Sequence, residues 1–298
     1  MAITKGKERT PEHLAEVSAV SSARFGVLRR LSRQPATLAS LALLALVCIT
    51  AIAAPLIAPA SPSSNDLSAV LQPPSGEHLL GTDRLGRDVL SRLIFASRAS
   101  LLAPLQAVAV AMLIGVPVGL LSGYLGGRLD AAVVWLTDAG LSLPPLLFAM
   151  AIVGMMGPSL RNAMVAVGIV YVPRMLRVAR GIAITIREQT FIEAADSIGA
   201  SKLWILRRHV LINAASPIIV QASLMTGLAM LAEASLSFLG LGVQPPQASW
   251  GGMMGDAFRT YRRAPWLIFF PGTAVALTVL ALNVLGDGIR DAIGKNRS

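Results

Sequence analysis

The stretch Phe191–Pro217, FIEAADSIGASKLWILRRHVLINAASP, is a polar interruption in a chain that is otherwise strongly apolar. Its pattern predicts two helices joined by a tight turn. Glu193 and the two alanines after it begin the first helix. Gly199 supplies the left-handed residue that ends this helix, and Ser201 caps a second helix that runs toward Leu211.

The second predicted helix has two chemically different sides. One side is basic and carries Lys202, Arg207, Arg208 and His209. The other side is apolar and carries Leu203, Trp204 and Leu206, which lipid or protein must cover. A soluble protein partner is a natural cover. The plainer alternative is that any cytosolic loop between two membrane spans is basic and partly helical.

The composition predicts an integral membrane protein. Of 298 residues, 54% are hydrophobic and only 14% are charged, and the mean hydropathy is +0.64, which is too apolar for an ordinary soluble domain. The net charge of +10 would suit a nucleic-acid partner, but aromatic residues make up only 5% of the chain and no basic stripe contains them. We therefore predict contact with lipid and none with nucleic acid.

Six apolar windows are long enough to cross a bilayer, so the sequence predicts an all-α protein with six transmembrane helices. They cover residues 37–57, 101–124, 131–153, 163–179, 217–239 and 266–285. The third window is interrupted by Pro144 and Pro145, and Tyr171, Pro173 and Arg174 crowd the end of the fourth. The boundaries of these two spans are the least defined.

The Lys and Arg residues predict the orientation. With alternating spans and a cytosolic N-terminus, 18 of the 26 basic residues fall on the inner side, so both termini and the polar stretch face the cytosol. The long basic leader and its apolar core of about 20 residues argue against a cleaved signal peptide. The predicted organisation is a cytosolic tail with an interfacial helix (1–36), a first transmembrane helix (37–57), an extracytoplasmic loop (58–100) and a five-span core (101–298) that contains a cytosolic loop (180–216).

Charged residues are concentrated in the first outer loop, in HLLGTDRLGRDVLSRL (78–93). Asp83 and Asp88 are suited to cap helix starts, and Arg84 and Arg87 are suited to pair with their carboxylates. Two interpretations stay open: these side chains tie the loop down, or they contact an extracytoplasmic protein. The second outer loop (239–265) is rich in Gly and Pro and contains Trp, which is typical of an ordered interfacial segment.

Two acidic residues fall inside predicted spans. Asp138 lies about 10 Å into the third span and Glu233 about 24 Å along the fifth, where an uncompensated charge costs a few kcal/mol, about 2.5–3.5 on insertion scales. Each either lies on a translocation path or subunit contact, or pairs with backbone or a nearby Arg. Small-residue ridges for helix packing are predicted at Gly115, Gly119, Gly123, Gly126 and Gly127.

The sequence lacks the residues that nucleotide, metal or covalent chemistry needs. A phosphate-binding loop ends in Gly-Lys followed by Ser or Thr, whereas the Gly-Lys pairs at 6–7 and 294–295 are followed by Glu and Asn. His13, His78 and His209 fall in separate regions, so no metal site is expected. No nucleophile, base and orienting group stand together, and we expect neither a catalytic site nor a cofactor on this chain.

The spacing of Glu-Ala-Ala, three residues and then Gly199 resembles the coupling loop of permease subunits in ATP-binding-cassette importers. Further stretches extend the resemblance across residues 25–293: LLGTDRLGRDVLSRL, LSGYLGGRLD, EASLSFLGLGVQPP, SWGGMM, APW and LTVLALNVLGDGIRDA. Together they resemble the C-type permease subunit of the dipeptide, oligopeptide and nickel importer subfamily.

This resemblance implies a type I importer permease in the bacterial cytoplasmic membrane. Its implied partners are a B-type permease that forms a heterodimer with it, two cytosolic ATPases that hold ATP and Mg²⁺, and an extracytoplasmic binding protein. In that case Asp83, Arg84, Arg87 and Asp88 become candidate contacts for the binding protein. The coupling role would fall on Glu193, Ala194, Ala195, Gly199, Ser201, Lys202, Leu203, Trp204, Arg207, Arg208 and His209.

The chain departs from the family pattern at two positions. Ile212 stands where relatives usually have Pro, and Asp196 stands where a basic or small residue is common. The backbone donor of Ile212 would let the docking helix continue farther, with Pro217 as a nearby helix break. The mechanism expected from the resemblance is ATP-driven alternating access. The alternative is an ion-gradient transporter or channel that uses Asp138 or Glu233, and the solute stays open.

Overall fold

The computed structural model describes residues 34–294, and this part of the chain is built from helices, turns and one isolated β-bridge. In chain order the α-helices are α1 (Pro35–Ile57), α2 (Val89–Leu125), α3 (Gly127–Ser142), α4 (Pro145–Met156), α5 (Leu160–Arg187), α6 (Thr190–Ser197), α7 (Lys202–Phe238), α8 (Trp250–Arg259) and α9 (Trp266–Gly294). The predicted interfacial helix before α1 lies outside the described residues.

Five helices, α1, α2, α5, α7 and α9, are long and apolar enough to cross a membrane. The remaining predicted span is the pair α3 and α4, which meet at an angle of 91°. The two prolines that interrupt the predicted third span lie at this bend. Leu143 has the extended backbone that a following proline favours, and Pro145 opens α4, where its missing N–H is not needed.

Part of the predicted outer loop 58–100 is helical, because α2 begins at Val89. Asp88 caps this helix, and its carboxylate accepts a backbone N–H of the first turn at 2.8 Å. Arg92 donates to a carbonyl of the preceding loop, and Arg98 donates to carbonyls near the end of α1. These partners, which sequence does not show, let two arginines lie on a membrane helix. At 37 residues, about 55 Å, α2 is longer than the hydrocarbon core.

Much of the predicted cytosolic loop 180–216 is also helical. Helix α5 continues to Arg187 and α7 begins at Lys202, so only α6 and its flanking turns separate the two spans. The arginines at the end of the predicted fourth span belong to α5. One of them, Arg180, forms two hydrogen bonds of 2.6 Å with the carboxylate of Asp130 on α3. As in α2, a charged residue that the sequence analysis assigned to a loop lies in a helix, where a partner from another helix binds it.

Helices α2 and α5 form the largest helix contact in the described part of the chain, and a glycine ridge makes it close. A Cβ atom on Gly119 would lie 2.6 Å from the Leu176 oxygen, and one on Gly123 would lie 2.4 Å from the Arg180 oxygen. Gly115 faces the same helix one turn earlier. Three of the five predicted glycines therefore form the small-residue ridge that tight packing in lipid requires.

Gly126 and Gly127 do not belong to this ridge, and the prediction was wrong for them. Both have positive φ angles, 68° and 66°, and form the turn between α2 and α3. A left-handed backbone strains any residue that has a Cβ atom, so the turn explains these two glycines. Sequence alone does not distinguish a glycine that packs from a glycine that turns.

The second predicted outer loop is ordered and contains α8. The backbone N–H of Trp250 donates to Ser100 Oγ at 3.0 Å, and its indole N–H donates to the Leu93 oxygen at 3.0 Å. Gly251 lies so close to α7 that a Cβ atom on it would be 2.4 Å from the Ala234 oxygen. Helix α8 is therefore fixed against both α2 and α7 at the end of the bundle opposite to α6.

Candidate functional site

The segment between α5 and the first turns of α7, residues 188–210, forms a helical elbow. Helix α6 ends in a Schellman motif: Gly199 has φ of 79°, its N–H bonds to the Asp196 oxygen, and the N–H of Ala200 bonds to the Ala195 oxygen. Ser201 then caps α7 and accepts the N–H of Trp204 at 3.3 Å. The predicted helix, left-handed turn and capped second helix are all present, although α6 begins at Thr190.

One face of the elbow is anchored in the bundle. Ile192 and Ala195 of α6 and Ile205 of α7 are buried against Leu120 and Tyr124 near the end of α2. Ala195, a predicted coupling residue, therefore holds α6 to the bundle and is only 7% exposed. Buried contacts therefore connect the elbow to α2 and α5.

The opposite face of the elbow is open and apolar. Ile198 is 83% exposed, Leu203 54%, Trp204 47% and Phe191 41%. The predicted coupling residues that share this exposure are Glu193, Ala194, Gly199, Ser201, Lys202, Leu203, Trp204, Arg207 and Arg208. Sequence reasoning missed Phe191 and Ile198 as part of this face, although an isoleucine directly before a left-handed glycine cap was the available signal.

His209 is half-buried and joins the two halves of the elbow. Its ring lies 5.8 Å from the ring of Phe191 on α6 and 5.0 Å from the ring of Trp204 on α7, measured between centroids. Such tilted and edge-on contacts are favourable for aromatic rings. His209 therefore links α6 to α7 through Phe191 and shows less of its surface than the other basic residues of the elbow.

Helix α7 continues past Ile212 and past Pro217. The first turns include a π-helical turn, Leu206–Val210, and Asn213 donates its side-chain amide to the His209 oxygen at 2.8 Å. Ile212 lies inside the helix, as expected for a residue with a backbone donor. The prediction that Pro217 breaks the helix was wrong, because a single missing N–H is tolerated in a packed membrane helix.

The two acidic residues of the spans have different environments. Asp138 on α3 accepts a hydrogen bond from Arg177 on α5 at 2.5 Å, and both side chains are more than half exposed. Glu233 on α7 is 1% exposed and accepts the Ser237 hydroxyl at 2.7 Å. Asp138 therefore pairs with an arginine, which is one of the two alternatives that the sequence left open. Glu233 is buried within this chain.

The predicted outer contact residues are mostly internal. The Asp83 carboxylate accepts Arg87 Nε at 2.7 Å, and Asp88 lies 3.1 Å from the ring nitrogen of His78. Asp83, Arg87 and Asp88 are buried, which fits the interpretation that they tie the loop down. Arg84 is the exposed member, 3.1 Å from the carboxylate of Asp256 on α8.

A third carboxylate of this loop also has a local role. Asp66 caps the short 3-10 helix Leu67–Ala69. The hydroxyl and backbone N–H of Ser68 donate to its carboxylate at 2.6 and 2.9 Å, and they hold the pKa of Asp66 below its ordinary value.

Within residues 34–294, no group of three or more His, Cys, Asp or Glu side chains is arranged to hold a metal ion.

A bundle of five or six apolar spans with a polar, helical elbow defines a multi-pass membrane transport subunit. Residues 115–298 match the family described as the inner membrane component of binding-protein-dependent transport systems. Residues 25–74 match the N-terminal transmembrane domain of oligopeptide transport permease C. The chain belongs to this family: it is an inner-membrane permease subunit of an ATP-binding-cassette importer, of the C type.

Three relatives illustrate the similarity. A probable D,D-dipeptide transport permease of Escherichia coli K12 is 45% identical over 80% of both chains. A dipeptide transport permease of Alkalihalophilus pseudofirmus is 43% identical over 80% of this chain and 79% of its own length. A glutathione transport permease of Pectobacterium atrosepticum is 42% identical over 76% of both chains.

These relatives are permease subunits and not enzymes, and their family works with ATPase and binding-protein partners. The alternative of a stand-alone transporter driven by an ion gradient is therefore set aside.

Proposed function

We propose that the elbow is the joint on which cytosolic ATPase subunits dock, and that it transmits their closure to the membrane spans. The observation that carries this proposal is the contrast between its two faces. Ile192 and Ile205 are buried in the bundle, whereas Ile198 and Trp204 are exposed together with basic side chains of the same elbow. Exposed apolar side chains among polar ones are typical of a protein interaction site.

The continuity of α7 provides the mechanical connection between the elbow and the membrane span. This helix runs from Lys202 in the elbow to Phe238 near the outer loops, so a displacement of the elbow moves the whole span. In the proposed cycle, ATP and Mg²⁺ bind to the ATPases and none to this chain. Closure of the ATPases pushes the elbow, and the spans change the access of a central path from outside to inside. This cycle requires the elbow and both termini to face the cytosol.

The proposed assembly is a heterodimer of this chain with a B-type permease, two ATPases and an extracytoplasmic binding protein. Arg84 is the accessible one of the four predicted outer residues, so we assign it the contact with the binding protein. The proposed solutes are dipeptides and short oligopeptides, because the relatives are named for transport of dipeptides and of glutathione, itself a peptide.

The test uses the complete transporter reconstituted in vesicles. Gly199→Val places a β-branched residue at a φ of 79°, which disrupts the turn without touching the membrane core. Uptake and binding-protein-stimulated ATP hydrolysis are expected to fall about tenfold or more, as for a loss of ~1.4 kcal/mol in docking. Gly181→Ala, on α5 where added atoms meet nothing within 4 Å, is the matched control. Normal uptake by the Gly199 variant would contradict the proposal.

A further inference from the structure

Arg174 is an exposed cation near the middle of a membrane helix. It lies on α5 between Leu160 and Arg187, about 20 Å from either end at 1.5 Å per residue. Its side chain is exposed, and it forms no ion pair with any residue in the range 34–294. Hydrocarbon covers an unpaired guanidinium only at high cost. This face of α5 therefore lies against water or a polar ligand when the transporter is assembled.

The next turn of α5 extends the basic face. Arg177 pairs with Asp138 of α3, and these side chains are 58% and 59% exposed. The close contact between α3 and α5, where a Cβ atom on Gly140 would lie 2.8 Å from Pro173, holds the pair beside Arg174. The face thus carries two guanidinium groups and one carboxylate, which is paired with Arg177. The face keeps a net positive charge and can accept a further carboxylate.

The preceding turn of α5 supplies an apolar groove. Val170 and Tyr171 line it from α5, Ala149 lines it from α4, and Leu228 and Leu231 line it from α7. The groove has a volume of about 240 Å³. Its walls are apolar apart from the Tyr171 phenol and a serine, and Arg174 follows it one helical turn toward the elbow. A groove with room for an apolar side chain therefore lies next to a cation that can bind a carboxylate.

We propose that Arg174 binds the C-terminal carboxylate of a peptide in the translocation path, while a side chain of that peptide occupies the neighbouring groove. The inference rests on the proposed function, since it takes the solute to be a peptide. The planar guanidinium matches a carboxylate with two parallel hydrogen bonds. The Arg177–Asp138 pair keeps the surrounding surface polar and leaves the Arg174 guanidinium for the peptide.

The first test measures dialanine uptake and ATP hydrolysis together in the reconstituted complete transporter with saturating binding protein. For Arg174→Gln, peptide taken up per ATP is expected to fall at least about tenfold, because the variant loses the charge and the paired hydrogen bonds to the carboxylate. Stimulation of hydrolysis by the loaded binding protein should persist, and Arg174→Lys should recover part of the uptake. Arg161→Gln, at the exposed start of the same helix, is the matched control. An unchanged ratio in the Arg174→Gln variant overturns the proposal.

The second test asks directly whether position 174 lines the path. Cys48 is the single cysteine, so Cys48→Ser gives a background for Arg174→Cys. A hydrophilic, charged thiol reagent should label this variant in the assembled transporter, and dialanine supplied with the binding protein should slow the labelling. Absence of labelling, or labelling that dialanine leaves unchanged, overturns the proposal. Failure of the unmodified transporter to couple hydrolysis to dialanine uptake would instead count against the proposed function.

Discussion

Arg98 on α2 donates its Nε–H to the backbone oxygen of Ala51 on α1 at 2.6 Å. In a regular helix this oxygen accepts the N–H of residue 55, but residue 55 is proline, which has none. A second donor of Arg98 reaches the oxygen of Ile52 at 3.1 Å. Arg98 therefore satisfies the carbonyl that Pro55 leaves without a partner, and it connects α1 to the rest of the bundle.

This relationship predicts that the effect of Arg98 depends on Pro55. Arg98→Leu should lower the stability of the detergent-purified transporter by about 1–3 kcal/mol, because a buried acceptor loses its donor. In a Pro55→Ala background the helix supplies its own N–H, so the same substitution should cost less. Thermal unfolding of the unmodified transporter, the two single variants and the double variant gives the coupling free energy between the two positions. Equal costs in both backgrounds would show that Arg98 does not act through the Ala51 carbonyl.

The glycine ridge predicts a steric cost at one glycine and none at another. Gly123→Ala places a Cβ atom 2.4 Å from the Arg180 oxygen, which is backbone and cannot move aside easily. Overpacking of this kind costs about 1–3 kcal/mol. Gly154→Ala on α4 meets nothing within 4 Å and should be neutral or slightly stabilising. The unfolding temperatures of the two variants are the measurement, and similar values would argue against close packing of α2 on α5.

The caps and the apolar windows were predictable from sequence because each depends on neighbouring residues. Ser201, Gly199 and the prolines at 144 and 145 act within a few positions of themselves, and their predicted effects are present. The ends of α2 and α5 were not predictable. Their charged residues belong to helices only because Arg98 meets a carbonyl of α1 and Arg180 meets a carboxylate of α3, and such long-range partners leave no local pattern.

The same difference between local and long-range determinants applies to the candidate site. The exposure of the basic and polar residues of the elbow follows from their polarity, whereas the burial of Ala195 depends on contact with α2. The outer residues Asp83 and Arg87 look like a surface cluster in sequence but are internal, because α8 and the preceding loop cover them. Sequence identifies charged residues but does not decide which of them the fold covers.

Two ion pairs between α3 and α5 should differ in their contribution to stability. Asp130 and Arg180 form a bidentate, mostly buried pair, so Asp130→Asn should destabilise the transporter by about 1–3 kcal/mol. The Asp138–Arg177 pair is more than half exposed, and Asp138→Asn should cost less than about 1 kcal/mol. Thermal unfolding compares the two variants. A larger loss of stability in the Asp138→Asn variant would contradict the assignment of the Asp130–Arg180 pair as the structural one.

The elbow offers a matched pair of isoleucines. Ile192→Asp buries a charge in the contact between α6 and α2, because Ile192 is 1% exposed, and it should destabilise the chain by about 3 kcal/mol or more. Ile198→Asp should leave the unfolding temperature unchanged, since this side chain is 83% exposed. It should still weaken ATPase binding, measured by co-purification of the ATPase subunits. Retention of the ATPases by the Ile198 variant would exclude this residue from the docking surface.

The most direct test of the account is a photo-crosslink from the elbow in intact cells. A photoreactive amino acid replaces Ile198, and another replaces Leu79, which is 59% exposed in the first outer loop. The account predicts that position 198 crosslinks to an ATPase subunit, identified by mass spectrometry, and that position 79 does not. A crosslink from position 198 to an extracytoplasmic protein, or ATPase capture equal at both positions, would contradict the claim that the elbow is the coupling joint.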